Sequence, residues 1–399
     1  MKLAIAFTNF GPYHLARLRA LGTALAARGD VLTAYELAGS EDRYPWKAER
    51  GAVPFDWITL FPNRSMESVP KAACREAMTR ALDRDRPDAL AIVGYSRPES
   101  MTMLRWAGRH GRPALLMSES QAIDHPRVWW KETVKRGRVR RFDAALVGGP
   151  RHRDYLVDLG MPRERIVFGY NAVDNAAFAA RAAAARRDPN GRDGITARPY
   201  FLSVSRFVPE KNLVRLVEAY ARYRTHAGEV SAWDLVLCGG GPAEPEIREM
   251  IATHGITNHV HLPGFLQDGE LGRWYGFASA FVHPSLMEPW GLVVNEAAAC
   301  GLPLLVSDRA GCVDPLVPQP PGITGRRFTG RKTAEIADAL RWLTSQSQGQ
   351  RDRMGANALT IVAGLSPEQF ARGTIQALGI AEATAKRRSR SAATSGAWS

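Results

Sequence analysis

The most informative segment of this chain is FVHPSLMEPWGLVVNEAAACGLPLLVSD, which runs from Phe281 to Asp308. It reads as a short buried strand from Ala278 to His283, a tight loop, a helix that opens at Gly291, and a second strand from Leu302 to Val306. Short apolar runs separated by a helical segment are typical of parallel strands that are covered on both faces. The segment therefore predicts a strand–loop–helix–strand unit of an α/β sheet.

Two carboxylates, Glu288 and Glu296, stand eight residues apart around the start of this helix. Glu288 lies in the loop, and Glu296 lies about 7–8 Å further along the helix axis at a rise of ~1.5 Å per residue. Gly291 lets the backbone approach a ligand closely, and the free N–H groups of a helix start favour an anion. A sugar–diphosphate–nucleoside fits this arrangement, with one carboxylate for the sugar and one for the ribose.

The alternative is that both glutamates are ordinary solvated acids. Glu296, however, lies within GLVVNEAAAC, an almost entirely apolar helix that we expect to be buried. A buried charge is costly unless it has a partner. This cost favours a binding role over a solvated one.

The sequence Glu288-Pro-Trp-Gly-Leu-Val-Val-Asn-Glu296, followed by Ala-Ala-Ala-Cys-Gly-Leu-Pro, resembles the paired-glutamate motif of retaining glycosyltransferases of family 4. The SDRAGCVDPLV that follows is similar to the next stretch of that family. The resemblance implies an α/β GT-B fold, in which two Rossmann-like domains with parallel sheets face a central cleft. It also implies a retaining sugar transfer without a metal. Glu288 is then expected to bind hydroxyls of the donor sugar, and Glu296 the ribose.

A second motif, SRFVPEKN from Ser205 to Asn212, lies where a strand ends and a helix begins. Taken alone, a basic pair at a helix start is more often solvated. This segment resembles the donor-phosphate motif of the same family, which makes Arg206 and Lys211 candidate catalytic residues beside Glu288. Arg supplies a fixed fork of donors and Lys a point charge, both suited to a departing diphosphate.

The resemblance implies further donor contacts in backbone-lined loops. They are the amides of Gly291 and Leu292, the first strand–helix turn at Gly11, and the loop at Gly264 and Phe265 near the nucleotide base. LVLCGGGPAEPEI looks like a dinucleotide fingerprint, but Glu244 takes the place of its third glycine. Such a partial fingerprint is weak by itself.

The sequence indicates the residues that contact the acceptor less clearly. His14 follows the first turn, and a satisfied histidine at a helix start is an equal alternative to a functional one. Relatives often carry a histidine where this chain has SESQAIDHP, so no catalytic histidine transfers by resemblance. Glu119, Asp124 and His125 are hypotheses for contact with the acceptor. Asp83-Arg84-Asp85 reads as a surface turn, and we expect no essential metal.

The alternation of apolar and helical segments predicts two domains. Residues 1–178 form an N-terminal acceptor-binding domain, and residues 199–365 a C-terminal nucleotide-sugar-binding domain, with an inter-domain crossover between them. By resemblance, the C-terminal helix from about residue 366 packs back on the first domain. The polar, basic residues 386–399 are expected to be disordered.

A basic segment, PRVWWKETVKRGRVRR, combines two tryptophans with lysines and arginines. It could contact an anionic membrane surface. The alternative is a solvated helix with its tryptophans in the core. The residues concerned are Trp129, Trp130, Lys131, Lys135, Arg136, Arg138, Arg140 and Arg141.

Composition narrows the class of protein. The 399 residues are 45% hydrophobic with a net charge of +13, and no apolar run approaches the length of a membrane span. The four cysteines lack metal-like or disulfide spacing, and the N-terminus lacks a signal-peptide pattern. A cytoplasmic location is therefore expected. The basic segment adds the hypothesis of peripheral attachment to the inner face of the cytoplasmic membrane.

The predicted function is transfer of a sugar from a UDP-, GDP- or ADP-sugar, with no cofactor, to a glycan or lipid-linked acceptor in cell-envelope or exopolysaccharide synthesis. An epimerase of the same architecture is the closest alternative, and an NAD-binding oxidoreductase a more distant one. The charge alone also fits nucleic acid. The basic runs contain no nucleic-acid recognition motif, so no nucleic-acid partner is expected.

Overall fold

The computed structural model describes residues 1–42, 51–228 and 231–395. The chain divides into two compact units, of which unit 1 comprises Met1–Val173 with Ser366–Ser399 and unit 2 comprises Asp174–Leu365. The predicted end of the first domain, residue 178, therefore lies five residues too late. The helix at Asn175–Arg187, predicted as part of the crossover, belongs to unit 2, where Arg186 Nε donates to the Gly276 carbonyl at 2.6 Å.

Unit 1 is built on a seven-stranded parallel sheet. Its strands are β1 (Lys2–Phe7), β2 (Val31–Ser40), β3 (Asp56–Ser65), β4 (Ala89–Val93), β5 (Ala114–Ser118), β6 (Ala144–Val147) and β7 (Ile166–Phe168), and their order is β3-β2-β1-β4-β5-β6-β7. Its helices are α1 (Pro12–Ala26), α2 (Lys71–Asp85), α3 (Pro98–Arg109), α4 (Trp129–Val139), α5 (Pro150–Asp158) and a C-terminal helix, α14 (Pro367–Ser395). The inner strands are buried apolar runs, as expected of a sheet covered by helices on both faces.

Unit 2 repeats this architecture with six parallel strands. They are β8 (Tyr200–Val204), β9 (Asp234–Cys238), β10 (Val260–Gly264), β11 (Ala280–His283), β12 (Leu304–Ser307) and β13 (Gly325–Phe328), in the order β10-β9-β8-β11-β12-β13. Its helices are α6 (Asn175–Arg187), α7 (Leu213–Ala227), α8 (Glu244–Thr253), α9 (Asp268–Phe277), α10 (Leu292–Ala299), α11 (Val313–Leu316), α12 (Thr333–Thr344) and α13 (Gln348–Val362). The predicted class, α/β with two Rossmann-like parallel sheets, is confirmed.

The C-terminal segment differs from the sequence-based expectation. Residues 386–395, predicted to be disordered, continue α14, and residues 396–399 lie outside the described part of the chain. Arg388 forms an ion pair with Asp143, a carboxylate 1% exposed, so a basic side chain of the predicted tail neutralises a buried acid. Composition alone did not reveal this partner. Among the described residues, no helix has the length and apolarity needed to cross a bilayer.

Each sheet reverses its winding direction at one point. In unit 1 the neighbours are β1 and β4, and in unit 2 they are β8 and β11. Successive connections leave such a pair of strands toward opposite sides, so a crevice opens beyond their carboxyl ends, where ligands of open α/β sheets bind. The two motifs singled out in the sequence follow β8 and β11.

Candidate active site

The site in unit 2 is formed by the two loops at the carboxyl ends of β8 and β11. Asn212 ends the first loop in the left-handed conformation, with φ of +61°. Its Nδ2 donates to the carbonyls of Pro284 at 3.0 Å and Gly330 at 2.7 Å. Leu286 N also donates to the Glu210 carbonyl at 2.8 Å. Side-chain and backbone bonds therefore fix the loops against each other.

Lys211 and Glu288, one from each loop, form a direct ion pair between Nζ and Oε2. Glu288 is 8% exposed. Burial raises the pKa of this carboxyl, but the ammonium of Lys211 and the hydrogen bond from His283 outweigh it and hold the pKa at about 2. Glu288 is therefore an anion throughout the physiological range of pH.

His283 is a member of this cluster that the sequence interpretation missed. Its Nε2 lies 2.9 Å from Glu288 Oε2 and 3.1 Å from Ser285 Oγ, and all three side chains are buried. Burial lowers the pKa of His283 below its ordinary value. The neutral ring then carries its proton on Nε2, because the carboxylate can only accept. The polar residue that ends the apolar strand β11 was the available signal.

Gly291 begins helix α10 with φ of +102°, a conformation that side chains disfavour. A Cβ here would lie 3.3 Å from Glu288 Cγ and 3.5 Å from His283 Nε2. Trp290 Nε1 donates to Asn295 Oδ1 at 2.9 Å and fixes the entry to the helix. Leu292, the first helical residue, is half-buried. The start of α10 thus lies directly against the Glu288 cluster.

Glu296 is fully buried in α10, as its apolar surroundings predicted. Its Oε2 accepts a hydrogen bond of 2.6 Å from the hydroxyl of Tyr275, a residue of α9 that is also fully buried. A buried carboxylate requires such bonds to offset its desolvation. The sequence did not identify Tyr275, since nothing in LGRWYGF distinguishes a core tyrosine from one that holds an acid.

The glycines of LVLCGGGP support the loop that carries Arg206. A Cβ on Gly239 would lie 1.8 Å from the Ser205 carbonyl oxygen, and Phe207 N donates to the Gly240 carbonyl at 2.8 Å. Gly239 N in turn donates to the Gly264 carbonyl at 2.8 Å. These glycines therefore allow close packing between loops. Arg206 is half-buried there, and Phe265 is 44% exposed beside Gly264.

The first strand–helix turn of unit 1 uses His14 as a cap. Gly11 precedes α1 with an extended backbone, and its N–H donates to His14 Nδ1 at 3.2 Å. The ring lies 4.5 Å from that of Phe7. Burial, aided by the charge of Arg17, lowers the pKa of His14 to about 3. These contacts are the ones expected of the alternative, in which His14 is a hydrogen-bonded histidine at the start of a helix.

The low pKa of His14 in this cap predicts that the folded protein loses stability in acid. Below pH 6.5 the unfolded chain binds a proton at His14 that the folded chain, with a pKa of about 3, does not bind, so stability falls as the pH drops from about 6.5 toward 3. His14→Gln should keep an acceptor for Gly11 and flatten this decline. Denaturant unfolding at pH 7 and pH 5 measures the decline in unfolding free energy. His125→Gln, a substitution of an exposed histidine, is the control. An unchanged pH slope in His14→Gln would contradict the assignment.

The remaining acceptor-side candidates lie at the carboxyl end of β5 and in the loop after it. Glu119 accepts a hydrogen bond from Asn171, which follows β7. Asp124 Oδ2 accepts from the Gln121 N–H at 3.0 Å, and His125 is exposed. Glu119 thus lies at the sheet edge where a ligand would bind, while Asp124 closes a turn of its own loop.

Glu36 is a buried acid of unit 1 that the sequence interpretation also missed. Its Oε1 accepts from Asn9 Nδ2 at 3.1 Å and Phe10 N at 3.0 Å, and its Oε2 accepts from Trp57 Nε1 at 3.0 Å and Thr59 Oγ1 at 2.7 Å. It therefore holds the turn before Gly11 against two neighbouring strands. An acid within the apolar strand VLTAYEL was the signal, because a charge in a buried strand is costly unless satisfied.

Among the described residues, no group of histidine, cysteine and carboxylate side chains could hold a metal ion. The acids of Asp83-Arg84-Asp85 are hydrogen-bonded within unit 1, where Asp83 accepts from Trp106 Nε1 at 2.7 Å and Asp85 from the Tyr35 hydroxyl at 2.6 Å.

Helix α4 exposes its tryptophans. Trp129 is 80% and Trp130 52% exposed, so the alternative that placed them in the core is wrong. Lys131 Nζ lies 5.4 Å from the ring of Trp130. Lys135 and Arg138 instead contact other residues of unit 1. Lys135 forms an ion pair with Glu132 at 2.8 Å, and Arg138 donates to the Tyr95 carbonyl at 3.3 Å. Arg136 donates to the Asp158 carbonyl at 3.1 Å, and Arg140 and Arg141 are exposed.

Two family models match the chain. The model described as glycosyl transferases group 1 matches residues 190–360, and the glycosyl transferase 4-like domain matches residues 15–172. Together they span most of both units. The chain belongs to the GT-B glycosyltransferases of family 4.

Curated relatives agree with this class. The chain is 29% identical to the alpha-D-kanosaminyltransferase of Streptomyces kanamyceticus over 245 residues, which are 61% of each chain. It is 33% identical to the D-inositol 3-phosphate glycosyltransferase of Frankia alni over 35% of this chain and 33% of that protein. The matches thus span about three fifths of the first relative and one third of the second.

Solved structures share the fold. Sucrose-phosphate synthase from Thermosynechococcus elongatus superposes with a TM-score of 0.72 at 19% identity, covering 94% of this chain and 98% of that one. Anabaena HepE in complex with UDP and glucose gives a TM-score of 0.68 at 17% identity, covering 95% and 99%. At these identities the likeness shows the architecture alone.

Proposed function

We propose that this chain transfers a sugar from a nucleotide-diphosphate sugar to a hydroxyl of a glycan or lipid-linked acceptor, with retention of anomeric configuration. The observation that carries the proposal is the ion pair of Lys211 and Glu288 at the point where β8 and β11 diverge, with the buried carboxylate of Glu296 further along α10. A cation for the diphosphate is thereby paired with the acid for the sugar, and the acid for the ribose lies further along the helix that follows.

Each group has a distinct role in this proposal. Lys211 and Arg206 bind the diphosphate and stabilise the charge that develops as it leaves. An ammonium has three donors, so one can remain on Glu288 while others reach phosphate oxygens. Glu288, ionised and held by His283, accepts hydrogen bonds from hydroxyls of the donor sugar. Glu296 does the same for the ribose, and the amides at Gly291 and Leu292 add donors to the phosphate site.

The reaction then proceeds on one face of the sugar. The acceptor oxygen forms a bond to the anomeric carbon as the bond from that carbon to the diphosphate oxygen breaks. The proton of the acceptor hydroxyl passes to an oxygen of the departing diphosphate. No side chain of the described site is required as the base, which agrees with a Glu288 too acidic to take a proton near neutral pH.

Unit 2 supplies most of the donor-binding groups, and unit 1 is assigned to the acceptor. In unit 1 the polar groups at the carboxyl edge of the sheet, Glu119 among them, are suited to hydroxyls. A cell-envelope or exopolysaccharide glycan is the proposed acceptor class. Anabaena HepE, which shares this fold, was solved with UDP and glucose and with UDP-glucose, so UDP-sugars are tested beside GDP- and ADP-sugars.

The alternatives are less well supported. An epimerase of the same architecture would use the same donor, but the relatives described above are transferases by name. An NAD-binding oxidoreductase would need the glycine loop for a dinucleotide, whereas Gly239 and Gly241 are packed against the loop of Arg206.

Donor turnover tests the proposal. The protein is incubated with UDP-, GDP- and ADP-glucose and with the corresponding galactose and mannose donors, with and without a bacterial lipid-linked glycan extract. We expect nucleoside diphosphate to be released only with acceptor, and the NMR coupling of the product to show a retained anomer. Release of nucleotide without acceptor would favour an epimerase, and an inverted product would contradict the mechanism.

We also propose that α4 contacts an anionic membrane, which would place the chain at the cytoplasmic face and bring a lipid-linked acceptor within reach. The exposed indole rings at the start of α4, with Lys131 beside Trp130, and the exposed Arg140 and Arg141 just after its end provide apolar and cationic contacts for such a surface.

The double variant Trp129→Ser/Trp130→Ser should reduce binding to vesicles of phosphatidylglycerol and phosphatidylcholine about tenfold or more, because two interfacial side chains are removed. Co-sedimentation measures the loss. Leu359→Ser, which removes an exposed apolar side chain of unit 2, is the control. Equal binding of the double variant and the wild-type protein would contradict this part of the proposal.

A further inference from the structure

We infer that Tyr275 is a positioning residue that fixes the Glu296 carboxylate for selective recognition of a ribose rather than a deoxyribose. This inference rests on the proposed function, in which Glu296 binds the ribose of the donor. It adds a residue, and a chemical discrimination, that the paired-glutamate motif does not contain.

The geometry around Tyr275 is rigid. The side chain is fully buried, and its ring packs edge-to-face on Phe178 and tilted against Phe281, with centroids 6.0 Å away in both cases. Phe178 lies on α6 and Phe281 on β11, so two elements hold the ring of a residue of α9. The hydroxyl can therefore point in only a narrow range of directions.

The hydroxyl is directed at the acid. Its bond to Glu296 Oε2 is 2.6 Å long, within the range of a charge-assisted O–H···O⁻ bond, and a weaker approach to the Val293 carbonyl measures 3.5 Å. A glutamate has free rotation about its side-chain bonds unless it is held. Tyr275 removes this freedom at the carboxylate itself, and it stabilises the ionised form in a buried position.

A carboxylate in a fixed orientation can accept from the vicinal 2′- and 3′-hydroxyls of a ribose together. A 2′-deoxyribose offers only one of them and would leave a buried acceptor unpaired, which is costly. Selectivity for ribose therefore depends on Glu296 remaining in place and ionised. Loss of the Tyr275 hydroxyl should weaken both conditions while leaving the ring in its pocket.

Tyr200 offers a matched control. Its side chain is fully buried in the same unit, and its hydroxyl also makes a bond of 2.6 Å, but to the carbonyl of Trp274. Tyr200→Phe thus removes a buried hydroxyl and a hydrogen bond of equal length without touching Glu296. The acceptor of that bond, the Trp274 carbonyl, belongs to the residue just before Tyr275. Tyr275→Phe and Tyr200→Phe differ chiefly in whether the lost bond ended on the acid.

The test is calorimetric titration of the wild-type protein, Tyr275→Phe, Tyr200→Phe and Glu296→Gln with UDP, GDP and ADP and with their 2′-deoxy counterparts, after circular dichroism has shown that each variant is folded. We expect the wild-type protein to prefer its ribonucleotide about tenfold or more, since a hydrogen bond to a charged group is lost with the deoxy ligand. Tyr275→Phe and Glu296→Gln should lose most of this preference, and Tyr200→Phe should keep it.

Two results would overturn the inference while leaving the proposed function standing. One is a Tyr275→Phe variant that keeps the full preference while Glu296→Gln loses it. The other is an equal loss in Tyr275→Phe and Tyr200→Phe, which would indicate general packing. If the wild-type protein binds none of the six nucleotides, the proposed function fails first, and the inference falls with it.

Discussion

Lys211→Met is expected to lower kcat about 10²–10³-fold, the range typical for removal of a charge-stabilising group from an active site. Lys211 is the cation between the two loops, and its charge is opposed in the described structure by Glu288. Methionine keeps the length of the side chain and removes the charge. Binding of the nucleoside diphosphate should weaken less than kcat falls, because the charge on the diphosphate grows as the sugar departs.

The pH profile adds a second readout to this variant. Without the ammonium, burial dominates at Glu288, and its pKa rises from about 2. The acid limb of kcat should therefore move to higher pH in Lys211→Met.

The control for Lys211→Met is Lys332→Met, which removes an exposed lysine of unit 2 that pairs with Glu335 at 2.9 Å. That surface pair contributes little, so activity should stay at the wild-type value. Activity of Lys211→Met within threefold of the wild-type protein would show that the diphosphate does not depend on this cation.

Glu288→Gln should separate binding of the sugar from binding of the nucleotide. The carboxamide cannot neutralise Lys211, so the ammonium becomes fully available to phosphate, and a free nucleoside diphosphate should bind as tightly as in the wild-type protein or more tightly. The sugar loses its ionic acceptor, so the additional affinity and the turnover of the nucleotide sugar should fall, with kcat about 10²-fold lower.

Calorimetric titrations with the nucleoside diphosphate and with the nucleotide sugar measure this separation. Glu335→Gln is the control, because it changes the acid of the exposed Lys332 pair in the same way. An equal loss of affinity for both ligands in Glu288→Gln would mean that Glu288 supports the fold of the loop and does not contact the sugar.

Much of this architecture can be predicted from the sequence because its strands are short, apolar and regularly spaced. The strands predicted at Ala278–His283 and Leu302–Val306 match β11 and β12 to within two residues. No such pattern marks β13, Gly325–Phe328, where Arg326 and Arg327 occupy half-buried positions of an edge strand. A short edge strand carries little apolar signal, so periodicity cannot detect it.

The main side chains of the proposed site were predicted because the motif combines them at fixed spacing on a strand–loop–helix unit. Their partners were not. Tyr275 reaches Glu296 from a different helix, and Asn212 joins two loops through backbone carbonyls. Contacts of this kind depend on tertiary packing, which has no sequence period. Arg388 shows the same limit, since a basic residue assigned to a disordered tail pairs with the buried Asp143.

Thermal unfolding of the wild-type protein and Glu296→Gln with UDP, GDP, ADP, NAD⁺ and a DNA oligomer tests the central claim most directly. A ligand that binds only the folded state stabilises it by ~2.7 kcal/mol at a hundredfold excess over its dissociation constant. The proposed site predicts that one nucleoside diphosphate raises the unfolding temperature of the wild-type protein and that the shift is largely lost in Glu296→Gln. Stabilisation by NAD⁺ or DNA alone, or an equal shift in both proteins, would contradict it.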